Sequence, residues 1–562
     1  MPWQLVEGRA LYVDIDYKDG PLSQYLNALW FLLFGVSLRT IIWCNLVLLA
    51  GLCALVYGII ARACDRFTAT LAVLVQLAVF SFCQYTFIGN YNYVCPYAQE
   101  QTHGLILSVA MIFCLGECVR RRSVRWSAGA GVALGLVFLT KAELFMPAFG
   151  AAVLGLVLIA ITLPRDGPRW PGIVLAFMAG AGGAVIVCTA LLATQMPMRW
   201  ALWGVGGNWT HLGGGILKYT FYQVTMGLDD PLTNLELASI VFLAIATLVA
   251  GAVAATWATR RRPLRAMWSI TAGAALGVAL IAAQFAIPFI QLGRALPFTS
   301  TIALVALVWL VVTRRHDTWG VRLVVPAIWA AFALLLLTKV ILNVRISHYG
   351  FVLALPATLL LVATLAWAIP TLLEARLGNG VLARALLVAP IVAFAMYFLQ
   401  WSNNRYVGQE YQVGDGGDMM FTRNPEDDVR GRDLEVARDF LRARMPRDAT
   451  LLTLPEGLIL NYWLRRPNPS RHIYFVPWSL DFAGGEAAVV NDIRAHPPDF
   501  IAITDRSTEE YGFATFGVDE RYGAQIMRWI KGNYRPERLI GSEPLTGHGF
   551  GILILSRVRL PG

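Results

Sequence analysis

The sequence predicts a polytopic α-helical membrane protein carrying a small soluble α/β domain at its C-terminal end. Three observations predict it. Hydrophobic residues make up 57% of the 562 and charged residues only 15%, against about 45–50% hydrophobic in soluble chains. Apolar runs of about 20 residues, each long enough to cross a bilayer core, recur as far as residue 400. Beyond Trp401 the runs shorten and charge becomes dense, in Glu426, Asp427, Asp428, Arg430, Arg432 and Asp433.

Taken in order, residues 1–36 form an outer-face segment. Its polar start (Glu7, Arg9, Asp14, Asp16, Lys18, Asp19) leads through Gly20-Pro21 into LSQYLNALWFLLFG at 22–35. That run is too short to span and suits a helix lying at the interface. Residues 37–400 form the transmembrane domain. Its spans are predicted at 37–61, 68–88, 104–119, 127–140, 144–163, 172–194, 237–259, 266–290, 298–313, 322–342, 350–375 and 382–399. Residues 401–562 form the soluble domain, with an amphipathic helix over 433–444, helices over 486–495 and 520–532, and strands at 449–454, 499–504 and 550–557. Strands alternating with helices predict a small α/β fold. No Gly-rich turn opens a helix there, so nucleotide binding is not indicated.

The formal net charge is +10, which by itself invites a nucleic-acid reading. The arginines argue against it, because they cluster in short loops between apolar runs: Arg120, Arg121, Arg122 and Arg125; Arg260, Arg261, Arg262 and Arg265; Arg314 and Arg315. That is the positive-inside pattern of cytoplasmic loops. Placing them inside, with Arg62, Arg66, Arg165, Arg169, Arg322, Arg376 and Arg384, puts 1–36, 89–103, 141–143, 195–236, 291–297, 343–349 and everything after 400 outside. The protein is therefore expected in a bacterial inner membrane with its C-terminal domain on the periplasmic side. The N-terminus lands outside with no helix ahead of it, so one further helix upstream of Met1 is expected. All eight cysteines precede residue 189 and none forms a CxxC pair; no metal site is indicated, and no cofactor is legible.

Charge near a bilayer is expensive and often functional, so the outer-face polar clusters are the candidate site. They are DIDYKDGP, with Asp14, Asp16 and Lys18; GNYNYVCPYAQEQTHG, with Asn92, Tyr97, Glu100 and His103; LTKAELF, with Lys141 and Glu143; Arg294 in QLGRALP; and NVRISHYG, with Arg345 and His348. Each has a structural alternative: a solvated leader, an ion pair closing a helical turn, an arginine reaching lipid phosphates, or an aromatic belt. Together they suit displacement at a sugar carbon with a lipid phosphate leaving. A carboxylate takes the acceptor's proton, and Lys and Arg neutralise the departing phosphate. A polysaccharide ligase or polymerase is a rival of the same general layout. A transporter or lipid flippase would hold its charges near the midplane, whereas these sit at span ends. An interaction protein working through its C-terminal domain would need no convergence of the clusters.

At these motifs the chain resembles the glycosyltransferase family 39-like group of bacterial membrane enzymes, which have the GT-C fold and are related to protein O-mannosyltransferases and the aminoarabinose transferase of lipid A. The residues carrying the resemblance are LVEGRALYVDIDYKDGPLSQYLNALWFLLFG, NYNYVCPYAQEQTHG, FLTKAELF, GRALP and RISHYGFVLALPA, and it covers about residues 1–400. It implies a polyprenyl-phosphate-linked sugar as donor, catalysis at the periplasmic face, an acceptor that is a lipid, glycan or protein, and Lys18 near the donor phosphate. The family's acidic pair lies after its first helix, upstream of the segment that begins here. Asp14 and Asp16 are the candidates to serve as catalytic carboxylates in its place.

Overall fold

Helices dominate the computed structural model, which describes residues 1–86, 89–162, 169–209, 218–262 and 264–558; Arg165 of the expected inner loops lies outside them. Two compact units partition the chain. One comprises Ile42–Ala190 and Val224–Arg405, the other Met1–Ile41, Leu191–Gln223 and Tyr406–Gly562.

The first unit is the helical one. Among the described residues, nine helices of the chain are long and apolar enough to cross a membrane: Leu38–Ala63, Gln99–Arg121, Ala142–Thr162, Trp170–Ala193, Thr220–Ala258, Phe289–Thr313, Thr318–Val340, Leu355–Leu377 and Gly380–Val407. Arg66–Ser81, Val124–Phe138 and Ala266–Ala282 are apolar but shorter, so each of the twelve predicted spans falls on a helix. The chain is a multi-pass membrane protein. In its most apolar stretch Thr318–Val340 is 67% buried, against 11% for Trp170–Ala193; the first is the hub and the second is left largely uncovered. The hub packs on Ala142–Thr162, Leu296–Thr313, Leu355–Ala363 and Gln99–Arg121.

With lipid outside, burial of apolar surface cannot by itself join helices, and close backbone approach does more of the work. Helices Val124–Phe138 and Trp170–Ala193 show it. A Cβ on Gly131 would run into the Phe177 carbonyl, one on Gly135 into that of Ala181, and one on Gly180 into that of Ala128. Helix starts are capped as the sequence allows. Asp65 accepts from the Thr68 N–H at 2.8 Å, and Asp230, ahead of Pro231, accepts from the Thr233 N–H at 3.3 Å.

Several polar contacts inside this unit join loops that the arginine count assigns to one face. Arg62 meets Glu117 at 2.9 Å, Arg384 meets Asp65, and the Asn379 amide donates to Thr259 at 3.0 Å, all at the Arg-rich end. Lys339 meets Glu143, Arg294 meets Asn234, and the Gln84 N–H donates to Ser402, all at the other.

The second unit is built on a four-stranded sheet. Its strands are β3 (Leu451–Leu454), β4 (Phe500–Thr504), β5 (Tyr534–Gly541) and β6 (Gly551–Arg557), in the order β3-β4-β6-β5. β3 and β4 are parallel and the other pairings antiparallel. A separate antiparallel pair, β1 (Tyr411–Val413) and β2 (Met420–Thr422), precedes them. Alternate residues feed two cores. Leu452, Leu454, Ile501 and Ile503 join residues of helices Glu486–Ala495 and Ala524–Asn533. Leu451, Phe500, Ala502 and Ile554 join those of helix Arg430–Arg444. Covering both faces explains why β3 and β4 are buried at every position and mostly apolar. The three predicted strands and three predicted helices are present. β5, YRPERLIG, has no counterpart among the predicted strands; it is an edge strand that carries Pro536 and three charges, with a register shift between Pro536 and Arg538.

Candidate functional site

In the helical unit an ion triad sits at the end opposite the arginines. Glu143 lies in the first turn of helix Ala142–Thr162, where the helix dipole favours a carboxylate. Its Oε1 is 3.1 Å from Lys141 Nζ and its Oε2 is 2.6 Å from Lys339 Nζ. All three side chains are a quarter exposed or less, so both lysines are held on one largely buried acid. The triad carries one net positive charge, a suitable reserve for an anion in a low-dielectric setting.

An aromatic shelf adjoins it. Lys339 Nζ stands 5.1 Å from the Tyr349 ring centre. Tyr349 meets Tyr91 edge-on at 5.3 Å, and His348 stacks on Tyr91 at 4.3 Å. Tyr91 stacks in turn on Tyr97 at 5.7 Å, and Tyr97 is 59% exposed. His348 sits in the left-handed region, at φ +67°, and also meets Tyr349 edge-on at 4.7 Å. Burial, reinforced by the charges of Arg345 and Lys339, pushes the His348 imidazolium down to about 4, so the ring is neutral at pH 7. Burial likewise raises the Tyr349 phenol well above its ordinary value. The shelf is therefore an uncharged stacking surface beside a cationic edge.

The remaining predicted residues of this unit divide by what holds them. Arg294 is fixed by Gln291 Oε1 at 2.7 Å, Asn234 Oδ1 at 2.8 Å and the Leu342 carbonyl at 3.2 Å. Arg345 is exposed and donates to Asn343 Oδ1 at 3.3 Å. Asn92 is committed to the backbone: its amide donates to the Cys83 carbonyl at 2.9 Å, and its oxygen accepts from the Val94 and Cys95 N–H groups. It shapes the turn that carries Tyr91. Glu100 and His103 are buried in the first turns of helix Gln99–Arg121.

The other unit holds Asp14, Asp16 and Lys18. Asp14 closes its own turn, its Oδ2 accepting from the Ala10 N–H at 2.7 Å. Asp16 Oδ2 is 2.9 Å from His472 Nδ1, and the Asp16 N–H donates to the Arg471 carbonyl at 2.8 Å. Lys18 Nζ lies 3.7 Å over the Trp478 ring, a cation–π contact. Within this unit the polar leader is thus anchored to the 468–478 segment.

Sequence reasoning missed Lys339 and His472. Lys339 was inside a predicted span, LLLLTKVIL, and a lone cation in such a run is itself a functional signal. His472 had no signal, because its partner lies 456 residues away. Among the described residues no group of three His, Cys, Asp or Glu side chains is placed to hold a metal ion.

Comparison with known proteins bears on the first third of the chain. Residues 18–193 match the dolichyl-phosphate-mannose-protein mannosyltransferase family. This family is of the GT-C type, and the resemblance read from the motifs is borne out. The matched segment includes Lys18, Lys141 and Glu143, while Lys339, Arg345 and His348 lie beyond it. No curated protein matches the sequence. Solved structures that resemble the chain include the Archaeoglobus fulgidus oligosaccharyltransferase in complex with zinc and sulfate, at 12% identity over 87% of this chain and 59% of that one, with a TM-score of 0.42. The same enzyme tethered to an acceptor peptide gives 12%, 88%, 62% and 0.45. ArnT from Cupriavidus metallidurans bound to undecaprenyl phosphate gives 12%, 96%, 88% and 0.37. The chain thus spans about 60% of the oligosaccharyltransferase's length.

Proposed function

We propose that the protein is a membrane glycosyltransferase of the GT-C type that moves a sugar from a polyprenyl-phosphate carrier to an acceptor on the outer face of a bacterial inner membrane. The observation that carries this reading is the family match over residues 18–193, which contains a lysine–carboxylate pair at a helix start. The bond between sugar C1 and the phosphate oxygen breaks as the acceptor hydroxyl attacks, and the departing lipid phosphate keeps the electron pair. Negative charge then develops on the phosphate beside a low-dielectric membrane, where fixed cations stabilise it most. In this reading Lys141, Lys339, Arg294 and Arg345 are the cations that the helical unit offers. The Tyr91–His348–Tyr97 shelf offers flat apolar faces to a sugar ring, and Asp14 or Asp16 takes the acceptor's proton. Apolar helices accommodate the carrier's tail. The C-terminal domain lies on the periplasmic side, a placement the arginine distribution supports.

The test is turnover of a polyprenyl-phosphate-linked sugar by purified full-length protein. Lys18→Ala and Arg294→Ala each lower turnover about 100-fold, equivalent to roughly 3 kcal/mol of transition-state stabilisation. Arg121→Ala at the opposite end leaves it within a few-fold. Outer-face variants as active as Arg121→Ala would refute the placement of the site.

A further inference from the structure

The polar leader meets the C-terminal domain through several contacts, and one set of them fixes Asp16. Asp16 is fixed twice from residues 471 and 472, through its N–H on the Arg471 carbonyl and its Oδ2 on His472 Nδ1. His472 is itself 8% exposed and clamped. Its N–H donates to Ser470 Oγ at 3.1 Å, and its carbonyl accepts from the Asn468 amide at 2.7 Å. Ser470 Oγ donates onward to Asp492 at 2.6 Å, on helix Glu486–Ala495. A chain of hydrogen bonds therefore runs from a helix of the α/β domain to one carboxylate of the leader. An ionised Asp only accepts, so Nδ1 carries the proton and donates to Oδ2. Oδ1 remains, with the Arg471 guanidinium 3.9 Å away. Asp14 differs in its partner, since its Oδ2 accepts from the backbone N–H of Ala10 in its own turn.

We propose that His472 of the C-terminal domain is a positioning residue for Asp16, and that Asp16, rather than Asp14, takes the acceptor's proton; this rests on the transferase reading above. In the step, the acceptor O–H proton passes to Asp16 Oδ1 as the acceptor oxygen bonds to sugar C1. The C1–O bond to phosphate breaks with its electron pair leaving on the polyprenyl phosphate, and Asp16 later returns the proton to solvent. His472 holds Oδ2, so that Oδ1 alone faces the reaction. The C-terminal domain then contributes to catalysis by fixing the base.

The experiment uses purified full-length protein and a panel of undecaprenyl-phosphate-linked radiolabelled hexoses and pentoses, with water as acceptor and free sugar as readout. His472→Leu lowers kcat about tenfold while KM for the donor stays within twofold. His472→Asn, which restores an N–H donor, returns kcat to within threefold of wild type. Asp16→Asn loses about 100-fold, and Asp14→Asn, which keeps an acceptor oxygen for Ala10, loses less than fivefold. His548→Leu, at an exposed position of the same domain outside this chain of hydrogen bonds, leaves kcat unchanged. Should His472→Leu not fold, His472→Ala takes its place against His472→Asn. Wild-type kcat in the donor-free variant, or an Asn variant no faster than it, would overturn the positioning role alone. No turnover of any donor by the wild type would overturn the transferase reading, and this inference with it.

Discussion

Lys339→Met isolates what the ion triad contributes. The substitution keeps the length of the side chain and removes one of the two ammoniums on Glu143. Removing one partner of a buried ion pair costs about 3–5 kcal/mol, because the other charge is stranded. Two observations reduce that here. Glu143 and Lys339 are each about a quarter exposed, and Lys141 still stands 3.1 Å from the other carboxylate oxygen. Halving the buried figure once for each gives roughly 1 kcal/mol. Glu143→Gln alone leaves two lysines facing a neutral amide, with a cost of similar size. The double variant Glu143→Gln/Lys339→Met has only Lys141 left to solvate and is expected to recover about 1 kcal/mol relative to the sum of the singles. Equilibrium unfolding in detergent, with tryptophan fluorescence as readout, measures all four corners of the cycle. Strict additivity of the two singles, within about 0.3 kcal/mol, would refute the triad as a coupled unit.

Three further outcomes follow from the geometry. Gly131→Val forces helices Val124–Phe138 and Trp170–Ala193 apart and lowers the melting temperature by several degrees; Gly182→Val, where a Cβ meets nothing within 4 Å, leaves it unchanged. The His348 imidazolium is held near 4 when folded and titrates near 6.5 when unfolded, so the unfolded chain binds more protons between those values. Stability therefore falls as pH drops from about 6.5 towards 4, by at most about 3 kcal/mol before solvent screening. His348→Gln removes that slope, which pH-dependent melting curves will record. A reporter that works only in the periplasm, fused after Gly562, is active, and activity of a cytoplasm-only reporter there would contradict the topology.

Much of the fold was legible because the membrane makes it so. Every backbone polar group in lipid must pair within its own helix, so a long apolar run has essentially one solution. The arginine clusters then fix which loops share a face, and the contacts Arg62–Glu117 and Arg384–Asp65 join loops so assigned. The soluble domain was legible where strands are buried on both faces, as in LLTL and FIAIT, and not at the edge strand YRPERLIG. At the site, local pairs could be read: Lys141 and Glu143 are two residues apart and do meet. Lys339 and His472 could not, because what gives each its place is a partner far along the chain. The tyrosines read as an interfacial belt; Tyr91 is instead 7% exposed and at the centre of a stack with His348, Tyr349 and Tyr97.

The central claim is that this chain transfers sugar from a lipid phosphate, and donor turnover tests it most directly. Purified full-length protein, in detergent or in vesicles, is incubated with undecaprenyl-phosphate-linked labelled sugars and an outer-membrane lipid, glycan and peptide mixture. The account predicts that at least one donor is consumed, with free undecaprenyl phosphate appearing in step with labelled acceptor. It further predicts that Lys18→Ala cuts the rate about 100-fold while Arg121→Ala does not. Donors left intact across the whole panel, or equal rates for Lys18→Ala and wild type, would contradict it.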